Sequence, residues 1–547
     1  MQSSGGGLLV LALCLLPLAS QGLRLPDFGG QPCPDLRVGS VRRDSEGGWS
    51  FSPTAAGGVA WGSYLDSLHT RSNFGQLRVT TSGEHPDADQ LYAAGYLEGY
   101  LTAHRIWDNW VNMFDYFTKA MGAEVEEPMR WVQQQDQWVR GRCAYGAGQP
   151  GSEGGEGRFW QSVCLLLRQF DGLKAGYRAA AAAADDASTI GDMSDWDFLF
   201  LESNGDLYDI IDAGQPDQRP SWIQSAAEPR IPTVRGRSGG RHWGALEAAA
   251  REDPEKAAAK LFSKVALSGK CSALIKLAPD MSDIWMGHST WDTYTAQLRI
   301  YKHYAFDLRQ LRPAASRLSF SSYPGELFSD DDFFLMDSGL VLLQTTNKIF
   351  NDELFERLDA RSVLSWQRVR TANWLARDGQ EWAALLDTHN SGTYNNQYMV
   401  LDLSKFRPRE ALLPGLLWVA EQIPGLVVAA DMTQTLSFGY WPSFNVPYFP
   451  EIYNQSGYPD FISRVEKHGQ HFGRTTHWLS YQTSPRASIF PAGPGRYSRP
   501  GGYQAGACAQ TAGRPTLCQR GTPLLRSAAV ATWTPENPVA RGCFDTK

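Results

Sequence analysis

The sequence predicts a layered α+β protein, and three observations lead there. Stretches between residues 87 and 184 place apolar residues at helical spacing, as with Leu91, Tyr96, Tyr100 and Ile106. From Cys271 onward short apolar, partly β-branched segments dominate. Helical patterns interrupt those segments without regular βαβ alternation, which fits sheets flanked by helices. The 547 residues are 42% hydrophobic and 20% charged, a globular balance, and Trp 19, Tyr 21 and Phe 25 supply ample material for a large core. With 51 basic against 58 acidic residues the net charge is −7, so the chain has no general field for nucleic acid.

In chain order, residues 8–19 (LLVLALCLLPLA) form an apolar run followed by small residues. This is the pattern of a secretory signal peptide ending near residue 22, and it is short for a membrane span. Residues 23–213 read as a helix-rich unit, with helices expected over 87–122, 125–139 and 160–184. Residues 214–270 collect Pro, Gly, Arg and Ser before a charged helical piece, and read as an exposed linker open to proteolysis. Residues 271–490 read as a β-rich core. Its strand-like segments are CSALIKLA, DIWMGHSTW, RLSFSSYP, FFLMDSGLVLLQTT, YMVLDL and LLWVAEQIPGLVVAA, with helices expected over 293–304, 363–376 and 380–388. Residues 491–547, poor in periodic hydrophobics, read as poorly ordered.

Several familiar chemistries find no support. The sequence has no HExxH, no P-loop and no CxxC pair, and His468 and His471 are read as surface residues. The one nucleophile-elbow match, Gly236-Arg237-Ser238-Gly239-Gly240, lacks the apolar strand and packed helix that an elbow needs. Of the 8 cysteines, Cys14 leaves with the signal. An odd number remains, which in a secreted protein points to a free thiol. Cys271 stands apart because it opens an apolar strand-like segment, where a small buried hydrophobe is the plain alternative to a nucleophile. Pairing of Cys143 with Cys164, and some pairing among Cys508, Cys518 and Cys543, are open options.

The run CSALIKLAPDMSDIWMGHSTWDTYTAQLRIYKH, with RLSFSSYPG, HNSGTYNNQYMVLDL, GYLEGYLTA, NGDLYDII, YWPSFNVPY, IYNQSGYP, SPRASIF and GCFDTK, resembles the phospholipase B-like family. The resemblance covers most of residues 75–212 and 265–490. It implies an amino-terminal-nucleophile hydrolase, a four-layer αββα sandwich that matures by a cut between Lys270 and Cys271. A thiol that begins a chain has its own α-amine, of ordinary pKa ~7.7–8.0, to take and return a proton, so no separate relay is required. Motif matching implies further site residues: His288 in GHSTW at the cleft, and Asn395 and Asn396 in TYNNQY as oxyanion donors. Trp291, Thr345 and Asp331 would line the cleft or bind substrate.

Asn454 begins the sequon Asn454-Gln455-Ser456 and is expected to carry glycan. The resemblance therefore implies a self-processed hydrolase of phospholipid acyl esters or amides, lysosomal or secreted. It would need no cofactor or metal and have no transmembrane segment, touching membrane surfaces only transiently. Two departures stand against it: a linker longer and more basic than in relatives, and an end at GCFDTK where relatives continue, which reads as truncation. The alternative they favour is a glycoprotein that keeps the fold, lacks turnover and binds lipid or a partner.

Overall fold

The computed structural model describes residues 36–54, 57–67, 74–146, 155–184, 190–214, 271–331, 333–467, 476–490 and 541–546. The expected signal peptide, the linker with Lys270 and Ser238, His468 and His471, and residues 491–540 lie outside them.

Two sheets face each other. Sheet A has 11 strands in the order β13-β12-β11-β10-β9-β8-β7-β4-β3-β1-β2. The amino-terminal part supplies β1 (Leu36–Arg43), β2 (Trp49–Ser52), β3 (Ala60–Leu65) and β4 (Gly75–Thr81). The later part supplies β7 (Ile300–Ala305), β8 (Arg317–Ser322), β9 (Phe334–Met336), β10 (Leu340–Thr346), β11 (Asn396–Asp402), β12 (Leu417–Ile423) and β13 (Leu426–Asp431). All its pairings are antiparallel except β4 with β7, the seam where the two parts of the chain meet. Sheet B is β14 (Tyr440–Ser443), β5 (Cys271–Leu277), β6 (Ile284–Thr293) and β15 (Arg541–Thr546), side by side in that order.

Strand alternation explains the layering. On β10, Leu340 and Leu342 enter the core beneath the helices, while Val341 and Leu343 enter the core between the sheets. On β11, Tyr398 and Val400 face the helices, and Met399 and Leu401 face sheet B. Across the gap, Ala273, Ile275 and Leu277 of β5 complete the inter-sheet core with Trp441 of β14. The helical layer is α1 (Asp87–Asp115), α2 (Glu126–Gly146), α3 (Gly155–Ala183), α4 (Asp195–Glu202), α5 (Asn204–Gly214), α6 (Ser365–Leu375) and α7 (Gly379–Asp387). Cys143 of α2 and Cys164 of α3 form a disulfide, one of the options open in the sequence.

Four elements differ from the sequence reading, and one is β15, a strand of sheet B inside the 491–547 stretch read as poorly ordered. The stretch read as a helix over 293–304 is a short 3-10 turn, Tyr294–Ala296, followed by β7. Ile300, Lys302 and Tyr304 are buried while Tyr301, His303 and Ala305 are partly exposed, a period of two that helical spacing does not capture. The amino-terminal unit is also not helical throughout, because β1–β4 precede α1. The helix over 87–122 ends at Asp115 and continues as one π-helical turn, Tyr116–Ala120.

α1 and α3 cross backbone on backbone. Gly95 and Gly99 on one helix meet Gly172 and Gly176 on the other. A Cβ at Gly95 would lie 1.8 Å from the Gln169 carbonyl oxygen, and one at Gly172 would lie 1.9 Å from the Tyr92 oxygen. No side chain can rotate away from a backbone oxygen, so a methyl here forces the helices apart. Gly95→Ala is therefore expected to lower stability by about 1–3 kcal/mol, the usual range for overpacking, despite the better helix propensity of alanine. Denaturant unfolding measures this; unchanged stability would mean that the helices separate freely.

Candidate active site

β5 opens with Cys271, whose thiol is buried and takes part in no disulfide. Alternation puts Cys271 on the same face as Ala273, Ile275 and Leu277, toward sheet A. Antiparallel pairing then sets Thr290 opposite Cys271 and His288 opposite Ala273, so both share that face.

Arg486 clamps the start of the strand. Its Nη1 donates to the Cys271 carbonyl at 2.7 Å, to Ser272 Oγ at 3.0 Å and to Asn445 Oδ1 at 2.9 Å, and its Nη2 donates to the Phe444 carbonyl at 2.6 Å. One guanidinium thus joins β5, the end of β14 and the loop after it. Its planar fork suits this task; the point charge of a lysine does not. Asn445 holds a positive φ of 67° and donates from Nδ2 to the Thr346 carbonyl at 2.7 Å.

The other residues singled out in the sequence sit as follows. His288 is fully buried and bridges the sheets, its Nε2 3.0 Å from the Gln344 carbonyl of β10, which requires the hydrogen on Nε2. Thr345 lies on the sheet-B face of β10, 2.6 Å from Ser443 Oγ, and its oxygen accepts from the Asn445 N–H. Asp331 is a buried hub that accepts from Thr290 Oγ1 at 3.0 Å, Ser321 Oγ, Tyr323 OH and Arg299 Nη2. It therefore reaches the residue facing Cys271. Trp291 follows Thr290 on β6, with the Arg486 guanidinium 6.0 Å from its ring.

The asparagines of TYNNQY are occupied. Asn395 Nδ2 donates both to Asp209 Oδ2 at 3.0 Å and to the Gly392 carbonyl at 2.9 Å. Asn396 Nδ2 donates to Tyr398 OH on the helix-facing side of β11, where Tyr398 in turn meets Ser365 of α6. Asn454 is exposed, away from this cluster, near the end of the helix Pro450–Gln455. Sequence reasoning does not single out Arg486 or Asn445. They lie inside the blocks SPRASIF and FNVPY, but the bonds of Arg486 to Cys271 and to Asn445 span long stretches of chain and have no local signature. Among the described residues, no three His, Cys, Asp or Glu side chains gather to hold a metal, and no helix is long and apolar enough to cross a membrane.

A row of polar groups continues from Thr345 across sheet A to Gln397 and Glu421. Gln397 Nε2 donates to Glu421 Oε1 at 2.6 Å, and the N–H groups of Tyr448 and Phe449 donate to its two oxygens. Glu421 thus anchors the loop that carries Asn445.

Comparison with known proteins gives the family. Residues 60–493 match the family model for phospholipase B. The chain belongs to the phospholipase B family. Phospholipase B of Crotalus adamanteus is 35% identical over 502 residues, covering 90% of this chain and 79% of that protein. Phospholipase B-like 1 of Bos taurus is 36% identical over 442 residues, covering 80% and 70%. Phospholipase B-like protein B of Dictyostelium discoideum is 31% identical over 459 residues, covering 83% and 70%.

In this phospholipase B family member the Glu421 anchor is sensitive to protons. Burial raises its carboxyl from 4.5 to about 7, against the pull of its hydrogen bonds. The unfolded chain releases that proton at lower pH than the folded one. The contribution of Glu421 to stability is therefore complete below about 4.5 and is lost as pH rises through about 7. Melting curves across that window should show a flatter pH dependence for Glu421→Gln than for wild type. Parallel profiles for the two proteins would exclude Glu421 as a source of the slope.

Proposed function

We propose that this protein is a self-processed acyl hydrolase whose nucleophile is Cys271, freed as an amino terminus by a cut after Lys270. Its substrates on this reading are the acyl esters of phospholipids, the class named in its relatives, with amides open to the same chemistry. The observation that carries the reading is a buried thiol, in no disulfide, at the first position of a strand. It faces the space between two sheets, and Arg486 holds its residue at the carbonyl. Two facing sheets with a helical layer on one of them also suit the αββα sandwich expected of an amino-terminal-nucleophile hydrolase.

In the proposed sequence the Cys271 thiol attacks the Lys270 carbonyl, the peptide nitrogen leaves as the α-amine, and water hydrolyses the resulting thioester. The freed amine then serves each turnover. It takes the thiol proton as sulfur attacks the substrate carbonyl and returns it to the departing alcohol oxygen; water then releases the fatty acid and restores the thiol. Each tetrahedral intermediate carries an oxyanion that needs donors already in place. Arg486 donates to the Cys271 carbonyl and to Asn445 Oδ1, so this task is assigned to Arg486 and Asn445 ahead of Asn395 and Asn396 on nearness to Cys271 alone, since the Asn445 amide, like theirs, already has an acceptor in the Thr346 carbonyl. His288 and Thr345 are assigned to the walls of the cleft; Trp291, by alternation on the opposite face of β6 from Thr290, is assigned to packing under Arg486. The signal-like amino terminus and exposed Asn454 support a glycosylated, lysosomal or secreted protein.

Amino-terminal sequencing of acid-treated protein should yield a fragment starting Cys271-Ser272-Ala273, and Cys271→Ala should abolish both cleavage and fatty acid release. Normal turnover by Cys271→Ala would falsify the nucleophile assignment. Asn445→Ala is expected to lower kcat by about 10²–10³ with KM little changed, the cost of one oxyanion donor, and to exceed the effect of Asn395→Ala or Asn396→Ala. The reverse order in steady-state kinetics would return the role to the TYNNQY pair.

A further inference from the structure

The loop between β8 and β9 is an unusual place for a chain to run. Residues 323–331 are buried throughout, although a buried loop must satisfy every polar backbone group without water. Five side chains from separate elements meet part of this need. Asn109 of α1 donates to the Pro324 carbonyl at 3.0 Å. Lys302 of β7 donates to the Glu326 carbonyl, Arg370 of α6 to that of Leu327, and Tyr394 to that of Asp330. The fifth is Glu202, the last residue of α4, whose Oε1 accepts the Leu327 N–H at 2.7 Å. The loop ends at Asp331, which binds Thr290 opposite Cys271.

We propose that Glu202 is a positioning residue for Cys271, acting through the buried 323–331 loop and Asp331 on Thr290, and that the proton on Glu202 sets the upper pH limit of the site. This rests on the reading of Cys271 as nucleophile. Glu202 comes from the chain before the proposed cut, and the loop it holds comes from after it, so the contact ties the two parts together.

The surroundings of Glu202 decide which charge state the loop tolerates. Its carboxyl is faced by Glu98 of α1, Lys302 and Tyr304 of β7, Arg370 of α6, and Glu326 of the loop itself. Lys302 is already paired with Glu98 at 2.7 Å, and Tyr304 donates to the other Glu98 oxygen. Arg370 is turned to the Leu327 carbonyl and lies over the rings of Tyr304, Phe320 and Trp374. Two cations thus face three carboxyls in a fully buried site. Burial, with Glu98 beside it, raises Glu202 to about 8 against the pull of the Leu327 N–H and Lys302, and Glu326 is raised well above the ordinary range. A neutral Glu202 accepts from Leu327 and adds no charge. An ionised one adds an anion beside Glu98 and Glu326. By linkage the stabilisation is complete below 4.5 and is lost as pH rises through about 8.

The test compares the full-length wild type, Glu202→Gln and Glu202→Ala, with phosphatidylcholine in mixed micelles as substrate, between about pH 5 and 9. Wild-type kcat should fall above about pH 8. Glu202→Gln keeps the acceptor and cannot ionise, so it should retain acid-pH turnover within about twofold and carry the fall to higher pH. Glu202→Ala should lose roughly ten- to a hundredfold in kcat at all pH values with KM nearly unchanged, as expected of a misplaced nucleophile. A Gln variant with the wild-type alkaline limb, or an Ala variant that loses thermal stability but no kcat, overturns the proposal.

Amide exchange of β6 around Thr290, corrected for intrinsic rate and measured in a Cys271→Ala background, gives a second readout independent of turnover. Protection should weaken above about pH 8 and stay constant when Glu202→Gln is added. Protection with the same pH dependence in both also overturns the proposal. If Cys271→Ala itself hydrolyses substrate, the nucleophile reading fails, and the exchange result alone then judges Glu202.

Discussion

A strand buried on both faces has no water with which to hydrate its side chains, and the middle of sheet A is in this position. Helices cover one side of β10, β11 and β12, and sheet B covers the other. Every polar group on these strands must then find a partner inside the protein, which restricts what the sequence can place there. Over most of their length the solution is apolar. Near Cys271 it changes: His288 reaches the Gln344 carbonyl, Thr345 meets Ser443, and Gln397 meets Glu421. The polar end of an otherwise apolar sandwich is where the Cys271 thiol lies. The site is thus a region between the sheets where paired polarity replaces packing.

The same exclusion of water governs the buried charged groups. Lys302 and Glu98 form an ion pair that is almost completely excluded from solvent, and Asp331 with Arg299 forms another. Such pairs do not by themselves add much stability, since desolvation offsets their attraction, but removing one partner leaves a charge with nowhere to go. Burial raises Asp206, Glu202 and Glu421 alike, to about 6, 8 and 7. His303 acts in the opposite sense: burial lowers it to about 4, so its contribution is lost as pH falls from its ordinary 6.5.

How much of this is legible in the sequence depends on the range of the interaction concerned. The helices α1, α3, α6 and α7 and most strands of the later part follow from local periodicity, close to their observed bounds. The strands β1, β3 and β4 carry Gly, Ser and Arg among their hydrophobics, and such short mixed runs hide an alternation that becomes clear only when α1 covers one face. β7 reads as a helix because Tyr301, Lys302 and Tyr304 suit either period until burial chooses between them. Cys271 is legible, since its position at the start of an apolar strand is a local fact. Arg486 is not, because the four acceptors that define its role are assembled only by the fold. Likewise, nothing in TYNNQY indicates that its first amide is held by Asp209, a residue far earlier in the chain.

The parallel pairing of β4 with β7 has a further meaning. It makes sheet A a joint product of the chain before residue 215 and the chain after residue 270. An uncut chain folds in a unimolecular reaction. The cut proposed above would make the same sheet a complex of two polypeptides, each deprived alone of part of its hydrogen-bonded neighbourhood. Refolding after denaturation then depends on concentration, and at high dilution the two pieces have no reason to meet again. On the proposed cut, such a molecule would owe its persistence to slow separation, its lifetime set by an unfolding barrier and not by a reversible balance.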